Sequence, residues 1–175
     1  MEVPLLVTDF FRRPARHYPE KLALVDGPRR FTYGDLEERI DRFSNALLGL
    51  GLKPGDRVCM LSPNSHFYFE SFYATAQIGI VLVPLNYRLV AADHEYILNH
   101  AGVSAVLVDG EYTRLVDSLR AKLPKVRHWI VAQDDGAPPP GWLDWNALVA
   151  EARPERPRIE RALGENDLVS INYTS

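Results

Sequence analysis

Four short apolar runs, "RVCMLS", "IVLVP", "AVLVD" and "HWIV", recur through the middle of the chain, each followed by a longer amphipathic stretch. A run this short is a strand rather than a core helix. One this continuously apolar is a strand buried on both faces. Such strands cannot pair as hairpins across helix-length connections. They pair in parallel through right-handed crossovers, with the intervening helices laid over the sheet. The chain is therefore expected to be α/β, with a mostly parallel sheet and helices on both faces.

The stretches between the runs read as helices. Thr32 and Asp35 form a T-x-x-D capping pattern. Leu36, Ile40, Phe43, Leu47 and Leu50 follow at steps of four and three, on one helical face, and Gly51 stands where a left-handed C-terminal residue belongs. Ser65 is expected to cap a helix that turns Phe69, Phe72, Tyr73 and Ala76 inward and ends at Gly79. Asp93 is expected to open a helix closed by Gly102. "YTRLVDSLRAKL" reads as one helix with Leu115, Leu119 and Leu123 aligned, and "WLDWNALVAEA" as a short one. Upstream, Thr8 is expected to cap a short helix that Pro14 kinks or ends, and "KLALVD" with "PRRFTY" reads as a small hairpin. "DDGAPPPG" is a surface loop, and "RPERPRIERALGEND" a polar connector into a last strand, "LVSINY", whose Leu168–Ile171 stretch reads as buried.

Composition narrows the function. The net charge is −3 and the basic residues are dispersed, so neither nucleic acid nor an anionic membrane is an expected partner. The apolar runs fall far short of the ~20 residues a bilayer span needs. "MEVPLLVTDF" lacks a basic leader before a sustained apolar run, so no secretory signal is expected. One cysteine, Cys59, permits no internal disulfide and fits a reducing, cytoplasmic setting. Cys59 lies inside an apolar strand and reads as a core residue. The five histidines are dispersed, and no protein-built metal site is expected. No Gly-x-Gly-x-x-Gly follows any strand, which disfavours a dinucleotide-binding domain.

The chemistry gathers where strands end. "YTS", at Tyr173 to Ser175, follows the last expected strand and puts hydroxyls at the carboxyl edge of a parallel sheet, where α/β folds bind ligands. Taken alone, Thr174 and Ser175 read as turn residues, the usual role of Thr and Ser after a strand. "PLNYRL" places Asn86 and Arg88 at the same edge. Asn86 there caps a turn and Arg88 pairs with a surface acid, or the two shape a substrate channel. Phe67, Tyr68, Phe69, Phe72 and Tyr73 exceed what one helix face needs in a core. The surplus is a candidate lining for an acyl pocket, or a cover for an interface.

Three segments in order, "FTYGDLEERIDRFSNAL", "IGIVLVPLNYRLVAADHEYILNHAGVSAVLVD" and "YTS", resemble the acyl-adenylate-forming (AMP-binding) enzymes, in the acyl-CoA synthetase form. The resemblance implies that residues 1–175 are the N-terminal portion of an adenylation domain, incomplete and ending at the start of the phosphate-binding loop. It implies a ligase that converts a carboxylic acid and ATP to an acyl-adenylate, with Mg²⁺ assisting, and then to a thioester of coenzyme A. Fatty or medium-chain acids are the expected substrates. Thr174 and Ser175 match phosphate-binding positions, and the functional reading of Asn86 and Arg88 is that they help shape the thiol channel or hold the loop. No catalytic residue is expected in this chain. Alone it is expected to be inactive, to bind neither ATP, Mg²⁺ nor coenzyme A, and to self-associate through apolar surface. The competing expectation is a standalone, non-catalytic α/β binding or scaffold module.

Overall fold

The computed structural model describes residues 5–174. Five strands make one parallel sheet: β3 (Arg57–Leu61), β4 (Val81–Pro84), β5 (Ala105–Asp109), β6 (His128–Ala132) and the two-residue β7 (Leu143–Asp144), in the order β4-β3-β5-β6-β7. A separate antiparallel hairpin joins β1 (Leu22–Asp26) to β2 (Arg29–Thr32). Among the described residues six helices accompany them: α1 (Asp9–His17), α2 (Tyr33–Gly49), α3 (His66–Gln77), α4 (Ala91–Ala101), α5 (Thr113–Asp117) and α6 (Trp145–Glu151).

Alternation along the strands divides the interior in two. Val58, Met60, Leu82, Ala105, Leu107 and Ile130 face one side, under α2, α3 and α6. Cys59, Leu61, Val83, Val106, Val108 and Val131 face the other, under α4 and α5. Helices therefore cover both faces, as the uninterrupted apolar strands require. Burial pushes the Cys59 thiol pKa up, so it stays protonated and inert.

α2 is built as its sequence prescribes. Asp35 N–H donates to Thr32 Oγ1 at 3.1 Å, and Thr32 N–H donates back to Asp35 Oδ2 at 2.8 Å. Leu36, Ile40, Phe43 and Leu47 are buried below this cap. Gly102 ends α4 at φ +64°, and a Cβ there would sit 2.8 Å from Arg57 Nη2, whose guanidinium donates to the Ala101 and Gly102 carbonyls.

Elsewhere the structure departs from the sequence-based expectations. Pro14 lies inside α1 without ending it, because Phe11 and Ala15 anchor the helix in the core and outweigh one lost backbone bond. Thr8 precedes α1 but makes no side-chain cap. Val90, not Asp93, is the N-cap of α4. Asp93 sits in the first turn, where the helix dipole favours an anion. The helix expected over 112–123 is only α5, flanked by 3-10 turns at Gly110–Tyr112 and Arg120–Lys122. There the Ser118 hydroxyl takes the Leu115 carbonyl, while Asp117 accepts from Trp142 Nε1 and pairs with Arg120, so local side-chain bonds compete with helix propagation. Leu143 and Asp144 pair with β6 rather than entering α6, which starts under an Asp144 cap.

α3 is rotated from its expected setting. Phe67, Glu70, Ser71, Ala74 and Thr75 are buried, and Ala76 is buried as expected, while Phe69, Phe72 and Tyr73 are half-buried. Small residues let the helix approach the sheet closely, and the rings lie to its side against Phe11, at 5.8 Å for Phe69 and 5.1 Å for Tyr73. The last strand is reduced to one parallel bridge, Leu82 to Ser170, with Leu168 58% exposed. It lies outside β4 at the sheet margin, where among the described residues no helix covers Leu168.

Leu107→Ala, in the middle strand and fully buried, is expected to cost ~2–5 kcal/mol in urea denaturation, whereas Leu168→Ala is expected to stay within about 0.5 kcal/mol. Equal losses would show that the 168–171 segment is as deeply packed as β5.

Candidate functional site at the carboxyl edge of the sheet

All five strands point the same way, so their exits share one edge. The β3-to-β4 connection passes over one face through α3, and the β5-to-β6 connection over the other through α5. The winding reverses between β3 and β5, and a crevice opens at such a reversal. A cavity of about 480 Å³ lies there, lined by residues 65–67 after β3, 109–111 after β5 and 132–135 after β6, with the hairpin and the start of α6 closing it.

His66 is the best-fixed polar group in this crevice. Its Nδ1 lies 2.6 Å from Asp26 Oδ2, and its backbone N–H donates to the same oxygen at 3.0 Å. The ring stacks on Phe31 at 5.3 Å and meets Trp145 edge-on at 5.6 Å. Burial lowers the imidazole pKa, and the two hydrogen bonds from His66 lower that of Asp26. Both shifts describe a neutral ring donating Nδ1–H to an ionised carboxylate. The remaining rim is acidic, with Asp109, Glu111, Asp134 and Asp135, and Arg29 is paired with Asp134. Such a rim repels a polyphosphate. Sequence reading missed this crevice, because Asp26 and His66 are distant in the chain and only the β1–β2 hairpin unites them.

Behind the crevice, Glu70 is fully buried and accepts from Arg39 Nε at 2.7 Å. The guanidinium also lies over Phe31 and Trp145, at 5.5 and 5.2 Å from their ring centres. Burial pushes the Glu70 pKa up to about 7, against the opposing pull of Arg39. Glu70 Oε2 and Trp145 Nε1 both lack a hydrogen-bond partner among the described residues.

The sequence-predicted site residues lie elsewhere on the same edge. Asn86 Oδ1 accepts from Arg88 N–H at 3.0 Å, which closes a turn after β4. Arg88 forms no ion pair among the described residues, contrary to the surface pairing expected of it. Its guanidinium lies over the Tyr87 ring at 5.6 Å, and Tyr87 lies 6.0 Å from Tyr112. Asn86, Tyr87 and Arg88 are all exposed. The segment through Ser170 runs parallel to β4, so Thr174 leaves the sheet at this edge too, exposed. Ser175 falls outside the described residues. The surplus aromatics of α3 do not gather in the crevice: of the five, Phe67 lines it, while Phe69 and Tyr73 pack against Phe11 of α1. Among the described residues no three of His, Cys, Asp and Glu are placed to hold a metal ion. They do not make a Mg²⁺ cage.

The model of the AMP-binding enzyme family matches residues 11–175. A long-chain-fatty-acid–CoA ligase of Thermus thermophilus is 33% identical over 94% of this chain and 31% of its own length. A peroxisomal butyrate–CoA ligase of Arabidopsis thaliana is 29% identical over 99% of this chain and 32% of its own. The crystal structure of the anthranilate CoA ligase AuaEII, in complex with anthranoyl-AMP, superposes on all of this chain and 33% of that one with a TM-score of 0.91 at 27% identity. The N-terminal domain of FACL13 from Mycobacterium tuberculosis gives 0.85 at 29% identity, over 97% of this chain and 41% of that one. The chain thus spans about a third of the length of the curated relatives it matches.

The Glu70 shift fixes the sign of a pH effect. The folded protein holds this proton more tightly than the unfolded chain, so between about pH 4.5 and about 7 folding takes up a proton and stability falls as pH rises. The stability difference between wild type and Glu70→Gln, from urea denaturation across that window, is expected to change by at most about 1.4 kcal/mol per pH unit. A flat difference would mean that Glu70 is ionised throughout.

Proposed function

The chain belongs to the AMP-binding enzyme family, and from that premise we propose that it is the N-terminal part of an ATP-dependent acid–thiol ligase. The acid's carboxylate attacks the α-phosphate of ATP, forming an acyl-adenylate and releasing pyrophosphate. The thiol of coenzyme A then attacks the acyl carbon and releases AMP. Developing charge on the phosphate oxygens needs placed donors, and we assign that role to Thr174 and Ser175 from their match to the family's phosphate-binding loop in sequence. One observation carries this reading: Thr174 leaves the sheet at the carboxyl edge, as the first hydroxyl of a phosphate-binding loop must.

Asn86, Arg88 and the Tyr87–Tyr112 pair stand at the same edge and suit support of the loop or of the thiol channel. Fatty or medium-chain acids are the substrates we favour. The names of two relatives, a butyrate and a long-chain-fatty-acid CoA ligase, support that choice. A feruloyl-CoA synthase of Amycolatopsis, 38% identical over 62% of this chain, makes aromatic acids the comparison set. For the surroundings we propose the cytoplasm, on the strength of the single buried thiol. No described helix is long and apolar enough to cross a membrane. Because two plant relatives are named peroxisomal, cell fractionation is the check.

Acid-dependent exchange of pyrophosphate into ATP tests the chemistry. The 175-residue chain is expected to show none, and the polypeptide continued through its reading frame is expected to show it. In the longer protein, Thr174→Ala is expected to lower the exchange about 10- to 100-fold, the worth of one charge-assisted hydrogen bond. Robust exchange by the 175-residue chain would overturn the mechanism. A stop codon directly after Ser175 would instead favour a non-catalytic module.

The chain exposes Leu22, Val25, Val90 and Leu168. We expect the 175 residues alone to self-associate through such apolar surface, giving a sedimentation coefficient that rises with concentration. A compact monomer at every concentration would refute this.

A further inference from the structure

Tyr173 immediately precedes Thr174, and its side chain is turned onto α4. Its phenol oxygen lies 2.7 Å from His100 Nδ1, and the two rings meet edge-on at 5.8 Å. His100 in turn stacks on Tyr96, four residues earlier on the helix, at 5.4 Å and 21°. The phenol oxygen and Nδ1 share one hydrogen bond, whose donor is set by the imidazole tautomer. Tyr173 is also packed against the core cluster beneath α4.

The backbone leading to this point is held by two bonds. Leu82 N–H donates to the Val169 carbonyl and Ile171 N–H to the Leu82 carbonyl, each at 2.9 Å. Among the described residues no backbone hydrogen bond follows Ile171, and Asn172 bonds only within its own segment, to Ser170 Oγ. The course of the chain from Asn172 to Thr174 therefore rests on Tyr173 and its partner on α4.

We propose that His100 is a positioning residue: through Tyr173 it fixes where Thr174 stands at the carboxyl edge, and so where the first phosphate-binding hydroxyl meets a nucleotide phosphate. This rests on the reading of Thr174 given above. The role is that of a second support behind the donor, which keeps the donor's position set before the nucleotide arrives.

Two readouts separate this inference from the proposed function. In the 175-residue chain, the backbone amide order parameters at residues 172–174 are expected to fall from about 0.85 toward about 0.6 in His100→Phe, which keeps the stack but loses the polar partner. Tyr173→Phe, which adds no bulk, is expected to do the same, and His100→Asn, which keeps a polar partner that can donate or accept, is not. The amides of Leu82 and Ile171 are expected to be unchanged. In the longer polypeptide, His100→Phe is expected to raise the KM for ATP several-fold in pyrophosphate exchange, to leave the KM for the acid unchanged, and to be rescued by asparagine. Unchanged order parameters at 172–174 in both phenylalanine variants overturn the inference. So do lowered order parameters there with an unaltered KM for ATP, since the contact would then be structural only. If the wild-type longer polypeptide shows no pyrophosphate exchange, the proposed function fails instead, and with it the positioning role.

Discussion

The burial of β5 on both faces is the constraint on which the rest depends. Its apolar residues alternate between two separate cores, and neither core closes without helices on its own side. Each connection must then choose a face, and the choice reverses beside β5. That reversal places the crevice at one edge of the molecule and makes the carboxyl ends of the strands the one place where polar loops converge. The hydrophobic demand of a few Val and Leu residues thus decides where chemistry is possible.

The fold was legible because its signals are local and mutually consistent. The Thr32–Asp35 cap, the Leu36-to-Leu47 stripe and the glycines at 51, 79 and 102 each specify an element without reference to the remainder of the chain. The misreadings arose where tertiary pairing overrode periodicity. Leu143 and Asp144 fit a helical pattern, but the free edge of β6 captured them. The aromatic positions of α3 look like an inward face, yet small side chains at Ser71, Ala74 and Thr75 win the sheet side because they allow closer approach. The last strand looked buried because burial was inferred from side-chain type, whereas its place at the sheet margin leaves Leu168 uncovered.

The candidate site was legible only in part, for a related reason. Asn86, Arg88 and Thr174 announce themselves as residues just after strands. The Asp26–His66 pair and the His100–Tyr173 pair do not, since each joins residues that are far apart in the chain. A hairpin turn and a helix register, not a motif, create them. No spacing rule on one sequence detects such pairs.

Charge then distinguishes the two ends of this edge. The crevice between β3 and β5 is ringed by carboxylates, and its one arginine is spent on Asp134. The exit beside β4 carries Arg88 on an aromatic support and the Thr174 hydroxyl on a strand leashed to α4. A polyanion approaching the edge meets repulsion at the first and donors at the second. The fold therefore provides a hollow at the reversal point whose rim is acidic, while the β4 exit, with little hollow of its own, carries the guanidinium and the hydroxyl. On this argument the reversal point organises the scaffold, and the donor groups of this edge gather at the sheet's margin.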